Sequence, residues 1–179
     1  KEKRDMNLQA LLPLVTYPDP ISEHVASNAT IVAAQLDAEL HALAVNVEIP
    51  LVSNAISRAL LNTPELVRQA NAMSRKTGED ILASVTEQAK LAGVKLVTDR
   101  TVTTLPLLND VAAHRARYFD IVLIGWEAAN EGTHTLAEDV IFGSGRPAIL
   151  LPELVKPSAF EHVAIAWDGS RSAARAVAD

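Results

Sequence analysis

Cysteine is absent from the 179-residue sequence, which excludes a disulfide framework, a thiolate-ligated zinc site and a thiol nucleophile. Aromatic residues make up only 4%, too few for the stacking surfaces that single-stranded nucleic acids require. Positive charge is scarce as well. Sixteen Lys and Arg stand against 22 Asp and Glu, for a net charge of −6, and no basic cluster follows Lys1, Lys3 and Arg4, so the electrostatic footprint of a nucleic-acid binder is missing. No apolar run reaches the ~20 residues of a membrane span. The charged start leads into only a few apolar residues before Pro13, too short for a signal-peptide core. These absences predict a cytoplasmic protein with neither nucleic acid nor membrane as partner.

What remains is a chain with 49% hydrophobic and 21% charged residues, a composition that favours a packed core over disorder. Residues 7–16 form a compact apolar run suited to a strand buried on both faces. The segment Tyr17-Pro18-Asp19-Pro20 breaks it, with Asp19 placed to cap a helix and Pro20 at its first position. Apolar residues then recur at Val25, Ala29, Val32, Ala33 and Leu36, with Glu23, Asn28 and Gln35 turned outward. Residues 40–47 read as a second strand. Residues 51–62 suit a short helix, and the stretch from Pro50 to Asn62, which carries Leu51, Ile56, Leu60 and Leu61, suits a cover over a pocket or over a domain partner. Thr63-Pro64-Glu65 starts a long helix reaching Ala92, with Leu66, Ala70, Met73, Ile81, Leu82, Val85 and Ala89 inward, a kink at Gly78 and a C-terminal glycine at Gly93. Strands at 94–102, 119–125 and 148–152 alternate with helices at 106–117 and up to Phe142, the last capped by Thr133 or Thr135. This βα alternation, with strands too apolar for a solvated sheet, predicts an open, doubly wound α/β sandwich of five parallel strands with helices on both faces. The first, fourth and fifth strands are the most apolar and are expected at its centre. Ligands in such sheets sit beyond the strands' carboxyl ends, where the strand order reverses.

Residues 162–179, HVAIAWDGSRSAARAVAD, repeat the opening order of strand, turn and helix start, with Ala166 aligned on Pro13. The sequence therefore divides into a domain at 7–152, a linker at 153–160 and, at 161–179, the first strand and helix start of a second, similar domain. The alternative is that the last strand and helix add to the first sheet.

Val163-Ala164-Ile165-Ala166-Trp167-Asp168-Gly169-Ser170 resembles the opening of a universal stress protein domain. Residues 119–125 resemble that family's fourth strand, and 136–141 with 145–152 its last helix and strand. The resemblance implies the strand order 3-2-1-4-5, frequent dimers, here through 148–151 as a homodimer or against the chain's own second domain, and ATP binding in one branch only. That branch uses a Gly-x2-Gly-x9-Gly-Ser/Thr loop whose bare amides approach the phosphates. Mapped here, the nucleotide positions are Val15, Val45, Gly125, Gly132, Thr133 and Thr135, with Asp168 in the second domain. The sequence departs from the pattern. Ala128 replaces the second glycine, His134-Thr135 the Gly-Ser pair and Val15 the first-strand aspartate, although Asp19 lies close by. Glu127 and Glu131 add negative charge where phosphates would lie. No cofactor is expected in this domain, and ATP remains the alternative.

Other residues read more simply. His134 and Glu138 stand at i, i+4 near Glu131, the spacing of two metal ligands, but such pairs arise often on surface helices. His24, His41, His114 and His162 are scattered. Ser170 lacks a nucleophile elbow and suits a turn. Gly143-Ser144-Gly145 follows a helix and precedes a strand, so it reads as a helix C-cap rather than a phosphate cradle. Trp126 either roofs the core or stacks on a ligand. With no ordered acid–base or nucleophile set, no catalytic or metal residue is assigned. The leading expectation is a non-enzymatic universal-stress-type binding or regulatory module. An ATP-binding stress protein with slow hydrolysis is the alternative, and a nucleotide-dependent α/β enzyme ranks last.

Overall fold

In the computed structural model, which describes residues 8–51 and 63–178, five strands form one all-parallel sheet in the order β3-β2-β1-β4-β5. The strands are β1 (Gln9–Val15), β2 (Glu39–Val47), β3 (Leu96–Thr103), β4 (Ile121–Trp126) and β5 (Ala148–Pro152). Helices α1 (Glu23–Gln35) and α2 (Thr63–Ala92) cover one face; α3 (Leu108–Ala116) and α4 (Glu131–Ser144) pack together on the other. The division follows from right-handed crossovers: the chain steps one way from β1 to β3, then back across β1 to β4 and β5. A final helix, α5 (Arg171–Ala178), follows an extended tail. The stretch 52–62, read above as a short helix or a cover, lies outside the described residues.

The core is built from the apolar runs. Leu11, Leu12, Leu14, Leu40, Leu43, Val45, Leu123 and Ile124 are fully buried in β1, β2 and β4, each worth about 1.5–3 kcal/mol of transfer free energy. Adjacent strands therefore need no polar face, which is why they read as continuous rather than alternating.

Several expectations shift. β5 lies at an edge and β2 takes the inner place beside β1; apolarity reports burial by covering helices as much as position in the sheet. Helix α1 starts at Glu23, with Ser22 as its cap residue, so Asp19 and Pro20 belong to the preceding loop. Asn28, expected outward, is buried, and its Nδ2 donates to the carbonyls of Pro152 and Val155 at 2.8 and 3.0 Å. Helix α2 runs unbroken through Gly78. Its inward stripe is Ser74, Gly78, Leu82, Val85 and Ala89, while Leu66 and Met73 are exposed; the stripe begins on small and polar residues that hydrophobicity does not flag. Gly93 and Gly145 both adopt φ of +68° at helix ends, the left-handed geometry a C-terminal glycine supplies.

Pro13 sits mid-way along the central strand. Pairing of β1 with β2 runs unbroken from Gln9↔Glu39 to Val15↔Val45 through Pro13↔Leu43. On the other side, pairing with β4 covers only Ala10↔Ile121 and Leu11↔Val122. A proline has no N–H for a ladder, and the ladder that stops short of Pro13 is the one toward β4.

Candidate functional site

The reversal of strand order falls between β1 and β4, and the crevice beyond their carboxyl ends is where this topology places a ligand. Here a side chain of the turn after β4 reaches across to the head of α1. A turn at 127–130, closed by Asn130 N–H donating to Glu127 O at 3.0 Å, leads from β4 into α4. Ala128 and Ala129 point outward, whereas Glu127 is only 7% exposed. Its Oε1 accepts the Ser22 N–H at 2.6 Å at the head of α1. Its Oε2 accepts from Asn130 Nδ2 at 3.2 Å. A buried carboxylate is tolerable only with such donors, and the positive end of α1 adds to them.

Asn130 is the cap of α4: its Oδ1 accepts from Gly132 N–H at 3.1 Å and Thr133 N–H at 3.4 Å. The expected caps, Thr133 and Thr135, have other roles, because the helix begins earlier than the polar run suggested. Thr133 is buried; its Oγ1 accepts from Glu127 N–H at 3.3 Å and donates to Asn130 O at 2.8 Å. The Thr135 hydroxyl turns back onto its own helix, donating to Glu131 O at 3.0 Å. The Glu127, Gly132 and Thr133 amides at this helix start are thus engaged by side chains.

Gly125 is buried in β4, and the space a side chain would need is taken by α1. A Cβ there would lie 2.9 and 3.0 Å from the two γ-carbons of Val25. The glycine serves the close approach of helix to strand. Trp126 is half-buried and stacked on His134, ring centroids 4.0 Å apart and planes at 14°. One face of the indole is therefore covered by a neighbour in the chain.

On the other side of β1, Val15 and Val45 are buried partners in register. Beyond them runs a chain of hydrogen bonds. Thr16 Oγ1 donates to Val45 O at 3.1 Å, so its one hydrogen is used. The 2.7 Å contact between Thr16 and Ser74 is then a bond donated by Ser74, whose oxygen accepts the Val47 N–H at 2.8 Å. Asn71 brackets Ile49, two residues on: its side chain accepts from Ile49 N–H at 2.8 Å and donates to Ile49 O at 3.2 Å.

Asp168 lies elsewhere. Helix α5, which it precedes, contributes Ser172, Arg175 and Ala176 to a cavity with Leu8, Asp120 and Pro147 at the amino-terminal edge of the sheet. Hydrogen bonds from Ser170 hold its carboxyl below the usual range. Ser170 caps α5, its Oγ accepting from Ala173 N–H at 3.0 Å. The structure therefore gathers Gly125, Gly132, Thr133 and Thr135 around the β4–α4 junction, sets Val15 and Val45 beside them on β1 and β2, and leaves Asp168 apart. Sequence reasoning missed Asn130, Ser22, Thr16, Ser74 and Asn28. For Asn130 a signal existed, an asparagine three residues before Thr133 at a strand-to-helix turn. For the others the partners come from distant segments.

Solved structures of the universal stress protein family are similar to this chain. A protein of the universal stress protein family from Burkholderia pseudomallei aligns with a TM-score of 0.53 at 15% identity, covering 79% of this chain and 95% of the other. Universal stress protein UspA from Lactobacillus plantarum aligns with a TM-score of 0.52 at 16% identity, covering 80% and 97%. No family model and no curated protein matches the sequence. At these identities the likeness is one of fold, and the expected five-stranded parallel sheet in the order 3-2-1-4-5 is what the structure has.

Proposed function

We propose that residues 7–152 are a universal-stress-type binding or regulatory module of the cytoplasm whose nucleotide position is degenerate. The observation that carries this reading is Glu127, buried in the crevice beyond β1 and β4 with its two oxygens on Ser22 and Asn130. An anion already stands where a nucleotide's phosphates would need bare amides. Gly125, given over to Val25, points the same way. Thermal denaturation with and without ATP and magnesium tests it: a ligand at 100 times its dissociation constant stabilises by about 2.7 kcal/mol, and no saturable stabilisation is expected. A saturable rise would establish the ATP-binding alternative.

The partner is a second copy or a second domain of the same kind, meeting at β5. This is an edge strand free of charged residues, AILLP, and Leu150 is 41% exposed; edge strands of this kind favour pairing. Ile149→Pro is expected to give a monomer by light scattering, and an unchanged oligomer would count against the edge. Residues 161–179 fit the start of that second domain: Val163, Ile165 and Trp167 alternate, are exposed, and join no sheet among the described residues.

A further inference from the structure

We infer that the Glu127 carboxylate is an autoinhibitory contact, an internal anion that keeps the crevice between β1 and β4 closed, and that its removal converts the position into one that accepts phosphate. The inference rests on reading this crevice as the nucleotide-type position of the fold. Three observations carry it beyond that reading. First, Glu127 has neutral donors only: none of the ion pairs among the described residues includes it. Its charge is offset by the Ser22 N–H, the Asn130 amide and the heads of α1 and α4, donors arranged for an anion of any origin. Second, Ser22 Oγ is buried without a hydrogen-bond partner and makes no cap bond, so the same residue offers a hydroxyl that the carboxylate leaves unused. A ligand with more oxygens than a carboxylate would have a donor to reach. Third, β1–β4 pairing ends at Leu11↔Val122, so no backbone ladder spans the crevice near its mouth, and the turn after β4 is tied to the start of α1 by the Glu127–Ser22 contact and by Asn130 Nδ2 donating to Asp19 O at 3.5 Å.

The test compares the wild-type chain with Glu127→Ala in thermal melts, using sodium phosphate against sodium chloride at matched ionic strength. The variant is expected to melt lower than wild type in chloride and to recover saturably in phosphate. At 100 times the dissociation constant its folded-to-unfolded ratio rises about 100-fold, while wild type does not respond. Equal responses in the two proteins, or no response in either, would overturn the inference. If Glu127→Ala folds in neither salt, Glu127→Gln decides. The neutral amide still accepts from Ser22, so the fold is kept, and the Ser22 amide proton should move upfield as the charged acceptor is lost. An unmoved resonance would show that the carboxylate does not hold that amide. Wild-type binding of ATP would instead defeat the degenerate-site reading, whatever the variants do.

Discussion

Thr16 and Ser74, 58 positions apart in the sequence, stand 2.7 Å from each other, oxygen to oxygen, in the buried interior. They are the middle of a relay from the Val47 N–H to the Val45 carbonyl, and each bond in such a chain polarises the next. Ser74→Ala removes the acceptor of a buried amide and the donor to Thr16 together. Chemical denaturation should show a loss of about 1–3 kcal/mol. A loss within error of zero would mean that water takes over the serine's bonds.

Gly78 inverts the usual rule for glycine in helices. Exchange for alanine ordinarily stabilises by roughly 0.5–1 kcal/mol. Here the new Cβ would lie 2.3 Å from Asn46 Oδ1 and 3.3 Å from Thr16 Cγ2, and Asn46 is buried with little room to retreat. Gly78→Ala is therefore expected to destabilise by about 1–3 kcal/mol. The double variant Asn46→Ala/Gly78→Ala should recover part of that loss, as a positive coupling in a double-mutant cycle.

Gly125→Ala separates a packing role from a ligand role. The contacts with Val25 predict a loss of about 1–3 kcal/mol in the absence of any ligand, relieved by Val25→Ala. A variant as stable as wild type would leave the glycine without a packing reason.

Asn130 holds two amides of α4 and one oxygen of Glu127. Asn130→Ala should lower stability by about 0.5–2 kcal/mol. Asn130→Asp should do worse than an ordinary aspartate cap, since its carboxylate would face that of Glu127; equal stability of Asp and Asn would place the two groups farther apart than 3.2 Å.

Glu39 carries a pH dependence. Its hydrogen bond from Lys95 and the nearby charges of Lys95 and His41 hold its carboxyl below the usual glutamate range. A depressed folded-state value stabilises the fold at neutral pH, and that contribution disappears as the pH falls through the folded value. Lys95→Met should therefore cost stability at neutral pH and nothing in acid. A difference that persists at low pH would assign the effect to packing.

The strands and most helix limits were legible in the sequence because they rest on local signals: apolar runs for β1 and β4, Thr63-Pro64 for the start of α2, Gly93 and Gly145 for helix ends. Asn28, Ser74 and Met73 show where such signals fail. A buried polar residue whose partner comes from another element has the same local pattern as a solvated one, and an apolar residue beside the inward stripe looks like part of it. The site divided along the same line. That Glu127 follows β4 and sets a negative charge at the carboxyl end of the sheet could be read from the sequence. That the carboxylate is folded inward onto Ser22, 105 positions away, could not.

Pro13 gives the crevice a mechanical meaning. With β1 joined to β4 over two residue pairs and to β2 over its whole length, the sheet consists of a three-strand slab and a two-strand slab sharing a short seam. Glu127 is a stitch across the open end of that seam, fastening the head of α1 to the turn after β4. On the reading proposed above, removing it leaves that end held by the packing of Val25 on Gly125 and by Asn130 Nδ2 on Asp19 O, while the pairing at Ala10 and Ile121 keeps the slabs hinged at the other end.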